Sequence, residues 1–120
     1  MLVLAKFLIA FVMLEHLYIM WFEMFAWTTK GPKIFQKFPK ALFPATKPLA
    51  ANQGLYNGFL AAGLCWSLLI SDPEWARHTA VFFLGCIAVA GIYGALTADK
   101  KIFLVQALPA LVTLILLHLA

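Results

Sequence analysis

The sequence predicts an all-α fold, a polytopic membrane protein built as a four-transmembrane-helix bundle, and two observations carry that prediction. Of the 120 residues, 64% are hydrophobic and only 12% are charged, with a mean hydropathy of +0.92. Average soluble domains are about a quarter charged, and a soluble chain this short has too little interior to hide so much apolar surface. The apolar residues also gather into four runs, 3–27, 50–70, 76–96 and 102–119. Each run is close to the ~20 residues that cross a hydrocarbon core of ~30 Å. Lipid offers no partner to an unpaired backbone group, so the runs are expected to be helices. The length sets a single domain, 1–120.

The first run carries Glu15, His16 and Glu23, and no small-residue cleavage motif follows it. It therefore reads as a permanent span rather than a signal peptide. A basic loop, 28–49, follows, punctuated by Gly31, Pro32, Pro39, Pro44 and Pro48. Before the third run, Ser71 or Asp72 can cap a helix, Pro73 suits its first position and Glu74 favours its dipole. Thr97 to Lys101 reads as a tight helical hairpin. In the fourth run Pro109 removes an amide donor and frees the carbonyl of Val105, which predicts a local kink beside Gln106.

The charge of +4 does not point to nucleic acid. Five of the nine basic residues, Lys30, Lys33, Lys37, Lys40 and Lys47, fall in one short stretch between apolar runs. With Lys100 and Lys101 they put seven basic residues on one side of a four-span topology, against Lys6 and Arg77 on the other. That bias places the first and third loops in the cytoplasm and both termini outside. The lipid bilayer is the expected partner. Lys33, Lys37 and Lys40 are placed to meet anionic headgroups, with Ile34, Phe35, Phe38 and Leu42 lying on the membrane.

The polar residues inside the spans carry the functional reading. An ionisable group at membrane depth costs roughly 2.5–3.5 kcal/mol on insertion scales and normally faces protein. On a helical wheel His16 and Glu23 lie about 20° apart. Leu8, Val12, Glu15 and Ile19 complete that face, while Phe7, Phe11, Leu14, Tyr18, Trp21 and Phe25 form an aromatic-rich opposite stripe. In the second run Asn52, Gln53, Tyr56, Asn57, Gly63 and Ser67 share a sector of about 140°. At a rise of about 1.5 Å per residue, Glu23, Asn52, Gln53, Tyr93 and Gln106 lie roughly 3–6 Å inside the cytoplasmic boundary, Asn57 at about 10 Å, and Glu15 and His16 at about 16–18 Å. These depths predict a polar pocket open to the cytoplasm and lined by Glu15, His16, Glu23, Asn52, Gln53, Asn57 and Gln106. Glu23 would be the outer acceptor, the amides would orient a ligand, and Glu15 with His16 would form an inner, proton-exchanging end. With no lysine or arginine at that depth, protons, a cation or a ligand must neutralise the carboxylates. The plainer reading is a closed hydrogen-bonded core in which Glu23 accepts from Asn52, Gln53 and Gln106.

Gly54 and Gly58 form a G-x-x-x-G pair suited to a close helix crossing, within the bundle or in a homodimer, and Gly91 with Gly94 gives a second tight patch. His16 and Glu23 stand about 10 Å apart along a helix, too far to share one metal ion. No metal site and no cofactor is expected, since no P-loop, dinucleotide fingerprint or nucleophile–base pattern occurs. Cys65 and Cys86 lie within apolar runs without zinc spacing and read as buried structural thiols.

Glu15-His16-Leu17-Tyr18, Glu23-Met24-Phe25 with Trp27, and the block from Leu49 through Asn52-Gln53-Gly54-Leu55-Tyr56-Asn57-Gly58 to Gly63 resemble the bacterial membrane family known as domain of unknown function 1304. Gly91-Ile92-Tyr93-Gly94 and Gln106 through Pro109-Ala110 match its later spans, so the resemblance covers nearly the whole chain. It implies four spans in a bacterial cytoplasmic (inner) membrane and brings no established activity. Two function classes follow from the residues. One is binding or transport of a small polar or cationic molecule with proton coupling. The other is a membrane-embedded enzyme or redox accessory, moving protons near a quinone or lipid.

Overall fold

The computed structural model describes residues 1–119, and every regular element among them is helical. The order is α1 (Val3–Phe25), α2 (Trp27–Ile34), α3 (Leu42–Ala45), α4 (Lys47–Leu69), α5 (Pro73–Thr97), a π-helical segment (Phe103–Ala107) and α6 (Leu108–Leu119). By length and composition α1 and α5 are apolar enough to cross a membrane. The 23-residue α4 is as long as α1 but carries Lys47, Asn52, Gln53 and Asn57. Phe103–Leu119 is a shorter apolar helix.

The described residues form two compact units, residues 1–14 with 60–119, and residues 15–59. The halves of α1 and α4 fall in different units.

The first unit has an aliphatic core. Ala5, Ile9 and Val12 of α1, Leu64 of α4, Ala80, Leu84, Ile87 and Ala88 of α5, and Ala110 and Leu117 of α6 form one buried cluster. Small residues let these elements approach. A Cβ built on Gly91 would lie 2.6 Å from the Ala107 amide nitrogen, and one on Gly94 would lie 3.0 Å from Ile102 Cγ2. At Gly63 the added atom would run into the Phe83 ring. Asp72 caps α5: its carboxylate accepts from the Glu74 N–H at 2.9 Å and the Trp75 N–H at 3.4 Å, with Pro73 at the first position. This is the helix start read from Ser71-Asp72-Pro73-Glu74. At the far end of α6, Arg77 Nε donates to the Leu117 carbonyl at 3.2 Å, a cation set against a helix C-terminus.

The proline of the last helix acts through a wide turn. Pro109 has no N–H to give to Val105, and the backbone just before it adopts π geometry, with the Leu108 N–H bonded to the Phe103 carbonyl. Thr113 Oγ1 donates to the Pro109 carbonyl at 2.7 Å. The irregularity expected beside Gln106 is thus a π turn across Phe103–Ala107, a common resolution of such defects.

In the second unit the helix boundaries differ from the expected runs. α1 ends at Phe25, and Ala26 departs from helical geometry (φ −125°, ψ 13°). The stretch read as a loop, 28–49, holds α2, α3 and the start of α4. Two of its four prolines begin helices instead of interrupting them. Pro44 and Pro48 occupy first-turn positions of α3 and α4, where the missing N–H has no intrahelical partner anyway. Pro32 sits later in its helix, and α2 ends two residues on, closed by the Phe35 N–H to Gly31 carbonyl bond at 2.8 Å.

Those short helices wrap an aromatic centre. Trp27 has Phe43 at 5.0 Å, Phe22 at 5.7 Å, Phe35 at 6.0 Å and Phe38 at 6.1 Å, centroid to centroid. Phe38 meets Phe43 edge-on at 4.9 Å. The indole Nε1 donates to Thr46 Oγ1 at 2.9 Å, and a Cβ at Gly31 would overlap the Phe43 ring. Phe35 and Phe38, expected to lie on the membrane, are half-buried in this cluster, because Trp27 and Phe43 offer a closer apolar surface.

Candidate functional site

The polar residues of the second unit are positioned by the pairing of α1 with α4. A Cβ on Gly54 would lie 2.8 Å from Met24 Cγ and 3.0 Å from both Glu23 Cβ and the Met20 carbonyl oxygen. One on Gly58 would lie 2.6 Å from Met20 Sδ. The two glycines are not equivalent. Gly54 faces the Met20 carbonyl and the stems of the Glu23 and Met24 side chains, close to the α1 backbone, whereas Gly58 faces the end of a flexible thioether chain.

That register brings Glu23 to Asn57. Asn57 Nδ2 donates to Glu23 Oε1 at 2.6 Å and to the Gln53 carbonyl at 3.2 Å. Asn57 is buried and Glu23 partly so. Reckoning depth from common helix ends had put Glu23 well outside Asn57. The ends are not level: Glu23 is close to the last residue of α1, while Asn57 lies nearly three turns into α4. The Gly54 contact, not the helix ends, sets the register.

A second pair stands farther back along α1. His16 is fully buried. Glu15 is mostly buried; its Oε1 accepts no hydrogen bond and lies 4.0 Å from His16 Nδ1, beyond hydrogen-bond distance. No lysine or arginine among the described residues pairs with Glu15 or Glu23. Asn52 and Gln53 expose their side chains, and Gln53 contributes only its carbonyl to Asn57. Gln106 is half-buried on the π segment of the other unit. The structure thus brings Glu23 to Asn57 and Glu15 to His16, and it places Asn52 and the Gln53 amide on the surface.

The stripe opposite this polar face is exposed throughout: Phe7, Phe11, Leu14, Tyr18, Trp21 and Phe25. Lys30 Nζ lies 4.9 Å from the centre of the Trp21 ring, within cation–π range. Cys65, read as buried, is exposed on α4, and Cys86 is half-buried. A wheel fixes which residues share a face but not how far around the helix its neighbours reach. Among the described residues no group of three or more His, Cys, Asp or Glu could hold a metal ion.

Sequence reasoning missed two features, the aromatic centre and the Glu23–Asn57 bond. Five phenylalanines and a tryptophan within 22–43 were a readable signal for the first. The second needed the register.

A family described as "Protein of unknown function (DUF1304)" matches residues 10–118. An uncharacterized protein, YpaA, of Lactococcus lactis subsp. lactis (strain IL1403) is 34% identical over 106 residues, covering 87% of each chain. No solved structure matches.

Proposed function

This chain belongs to the DUF1304 family, and we propose that it is a four-span membrane protein that binds a small cation or cation-bearing polar molecule at its buried carboxyl groups, with exchange of a proton. The spans would be α1, α4, α5, and α6 with its π segment. Large apolar side chains open to the surroundings on all of these helices support the membrane reading. Phe7, Phe25, Leu69, Phe82, Leu96 and Leu104 are each more than 60% exposed, and monomeric soluble proteins rarely present such continuous apolar faces. The lysine bias orients the chain in the cytoplasmic membrane with both termini outside.

The observation that carries the binding reading is the chemistry of α1. Two carboxyl groups lie on one helix with no lysine or arginine partner among the described residues, and a buried oxygen of one accepts no hydrogen bond. Charges in a poorly hydrated site need a counter-charge or a proton. Asn57 holds Glu23 in one geometry, as a recognition group requires. Glu15 beside His16 has the freer oxygen, suited to taking up and releasing a proton. The Glu23–Asn57 bond also favours the plainer reading, a locking contact between helices, and one variant separates the two. Native mass spectrometry of the protein from mild detergent should show a copurified small molecule or cation, absent from Glu23→Gln while that variant keeps its helicity and oligomeric state. A Glu23→Gln protein that retains the same bound mass would leave only the locking role.

A further inference from the structure

Beyond that site, the segment from Trp27 to Thr46 has more structure than a topology signal requires. The statistical preference for cytoplasmic lysines depends on how many there are, not on their fixed arrangement. Here the arrangement is fixed. Trp27, Phe35, Phe38 and Phe43 form one ring cluster, the indole is tied to Thr46, and Gly31 of α2 packs closely against the Phe43 ring. Backbone bonds from Phe38 to Phe35, Leu42 to Pro39 and Phe43 to Lys40 close the turns between α2 and α3.

The outside of this lobe is basic and uncompensated. Lys30, Lys33, Lys37, Lys40 and Lys47 are all exposed. No aspartate or glutamate occurs between Glu23 and Asp72. Among the described residues none of the five lysines forms an ion pair. Lys30 is held over Trp21, which leaves Lys33, Lys37 and Lys40 within the lobe, and Lys47 just past it, as exposed ammonium groups without an ion pair among the described residues. A tryptophan and neighbouring exposed lysines on one short segment suit the headgroup level of a bilayer, where tryptophan is enriched and lysine meets anionic lipid.

We infer that the Trp27–Thr46 lobe is a docking surface for anionic lipid headgroups, with Lys33, Lys37 and Lys40 as its phosphate-binding groups. The inference rests on the membrane reading above but not on the carboxyl site. A lysine near an anionic surface contributes about fivefold in affinity, so removing three should weaken binding about a hundredfold.

The test uses the full chain in neutral detergent, titrated with phosphatidylglycerol or phosphatidylcholine and followed by native mass spectrometry and thermal unfolding. The wild type should retain and be stabilised by phosphatidylglycerol and not by phosphatidylcholine. The triple variant Lys33→Gln, Lys37→Gln, Lys40→Gln should lose that preference, while Lys100→Gln with Lys101→Gln should keep it. Equal phosphatidylglycerol affinity in the triple variant and the wild type would overturn the proposal. So would equal losses in both variants, which would mean that charge count alone matters, or displacement of the lipid by inorganic phosphate, which would mean a free-anion site. Alkaline carbonate washing of membranes separates the two readings. Protein that stays in the pellet but shows no lipid preference sinks this inference alone, whereas protein released by the wash sinks the membrane reading as well.

Discussion

The two units handle the same pair of helices in opposite ways. In the first unit α1 and α4 contribute Ala5, Ile9, Val12 and Leu64 to a core of aliphatic side chains. In the second unit the other halves of α1 and α4 meet through Met20, Glu23 and Met24 against Gly54, Asn57 and Gly58. One half is held by shape alone and the other by shape plus a hydrogen bond to a carboxyl group. A helix pair thus need not have one chemistry along its length. Where stability is the only demand, the sequence supplies alanine and leucine; where carboxyl groups are kept, it supplies an amide to fix one and leaves an oxygen of the other unbonded.

Substitutions in each unit test this contrast, and the largest effects are expected in the aliphatic one. Leu84 is fully buried, and Leu84→Ala should destabilise by about 2–5 kcal/mol through the cavity it leaves. Reversible unfolding in mixed micelles would measure this, and a loss under 1 kcal/mol would mean the cluster is not a packed core. The glycines of α5 give an internal control. Gly91→Val drives a side chain into the Ala107 backbone and should cost about 1–3 kcal/mol or more. Gly85→Ala meets nothing within 4 Å and should be neutral or raise the melting temperature slightly, by helix propensity.

In the polar unit the effects should be smaller and of another kind. Asn57→Ala removes the donor to Glu23 and should cost about 1–3 kcal/mol, the desolvation of an acceptor left without its partner. Adding Glu23→Leu to that variant should restore part of the loss, because an apolar pair has nothing to satisfy. Failure of the double variant to recover would show that Glu23 has another stabilising contact. The smallest expected effect is at Glu15. Since its buried Oε1 accepts no bond, Glu15→Gln should shift stability by less than Asn57→Ala does, by about 1 kcal/mol at most. Any function of the site that depends on proton exchange should nevertheless be lost.

Periodicity explains what could be read beforehand and what could not. The outward aromatic stripe from Phe7 to Phe25 and the inward His16 follow from a 3.6-residue repeat within one helix. The Asp72 cap and the Pro109 irregularity are equally local, since each depends on residues within one turn. Contacts between helices obey no such rule. The Glu23–Asn57 bond depends on where α4 begins, and Lys47-Pro48 starts that helix earlier than the apolar run suggests. Asn52 and Gln53 share a sector with Asn57, but the face of α4 that meets α1 is narrower than a 140° reckoning from a wheel of about 100° per residue. The aromatic lobe was hidden by its prolines, which resemble loop punctuation until Pro44 and Pro48 are seen in first turns.

The π turn before Pro109 has a consequence for how this chain tolerates changes in length. Its defining bond, from the Leu108 N–H to the Phe103 carbonyl, spans one residue more than an α-helical bond. The turn therefore holds a surplus residue, and the inward faces of Ala110, Thr113 and Leu117 are phased from beyond it. Deleting one residue within Phe103–Ala107 would let the turn rewind as α-helix and keep those three residues facing inward. The same deletion a few positions later, at Leu111, would rotate everything after it by about 100° and turn Thr113 and Leu117 outward. The chain thus carries one place in its last helix where a codon could be lost without scrambling the core.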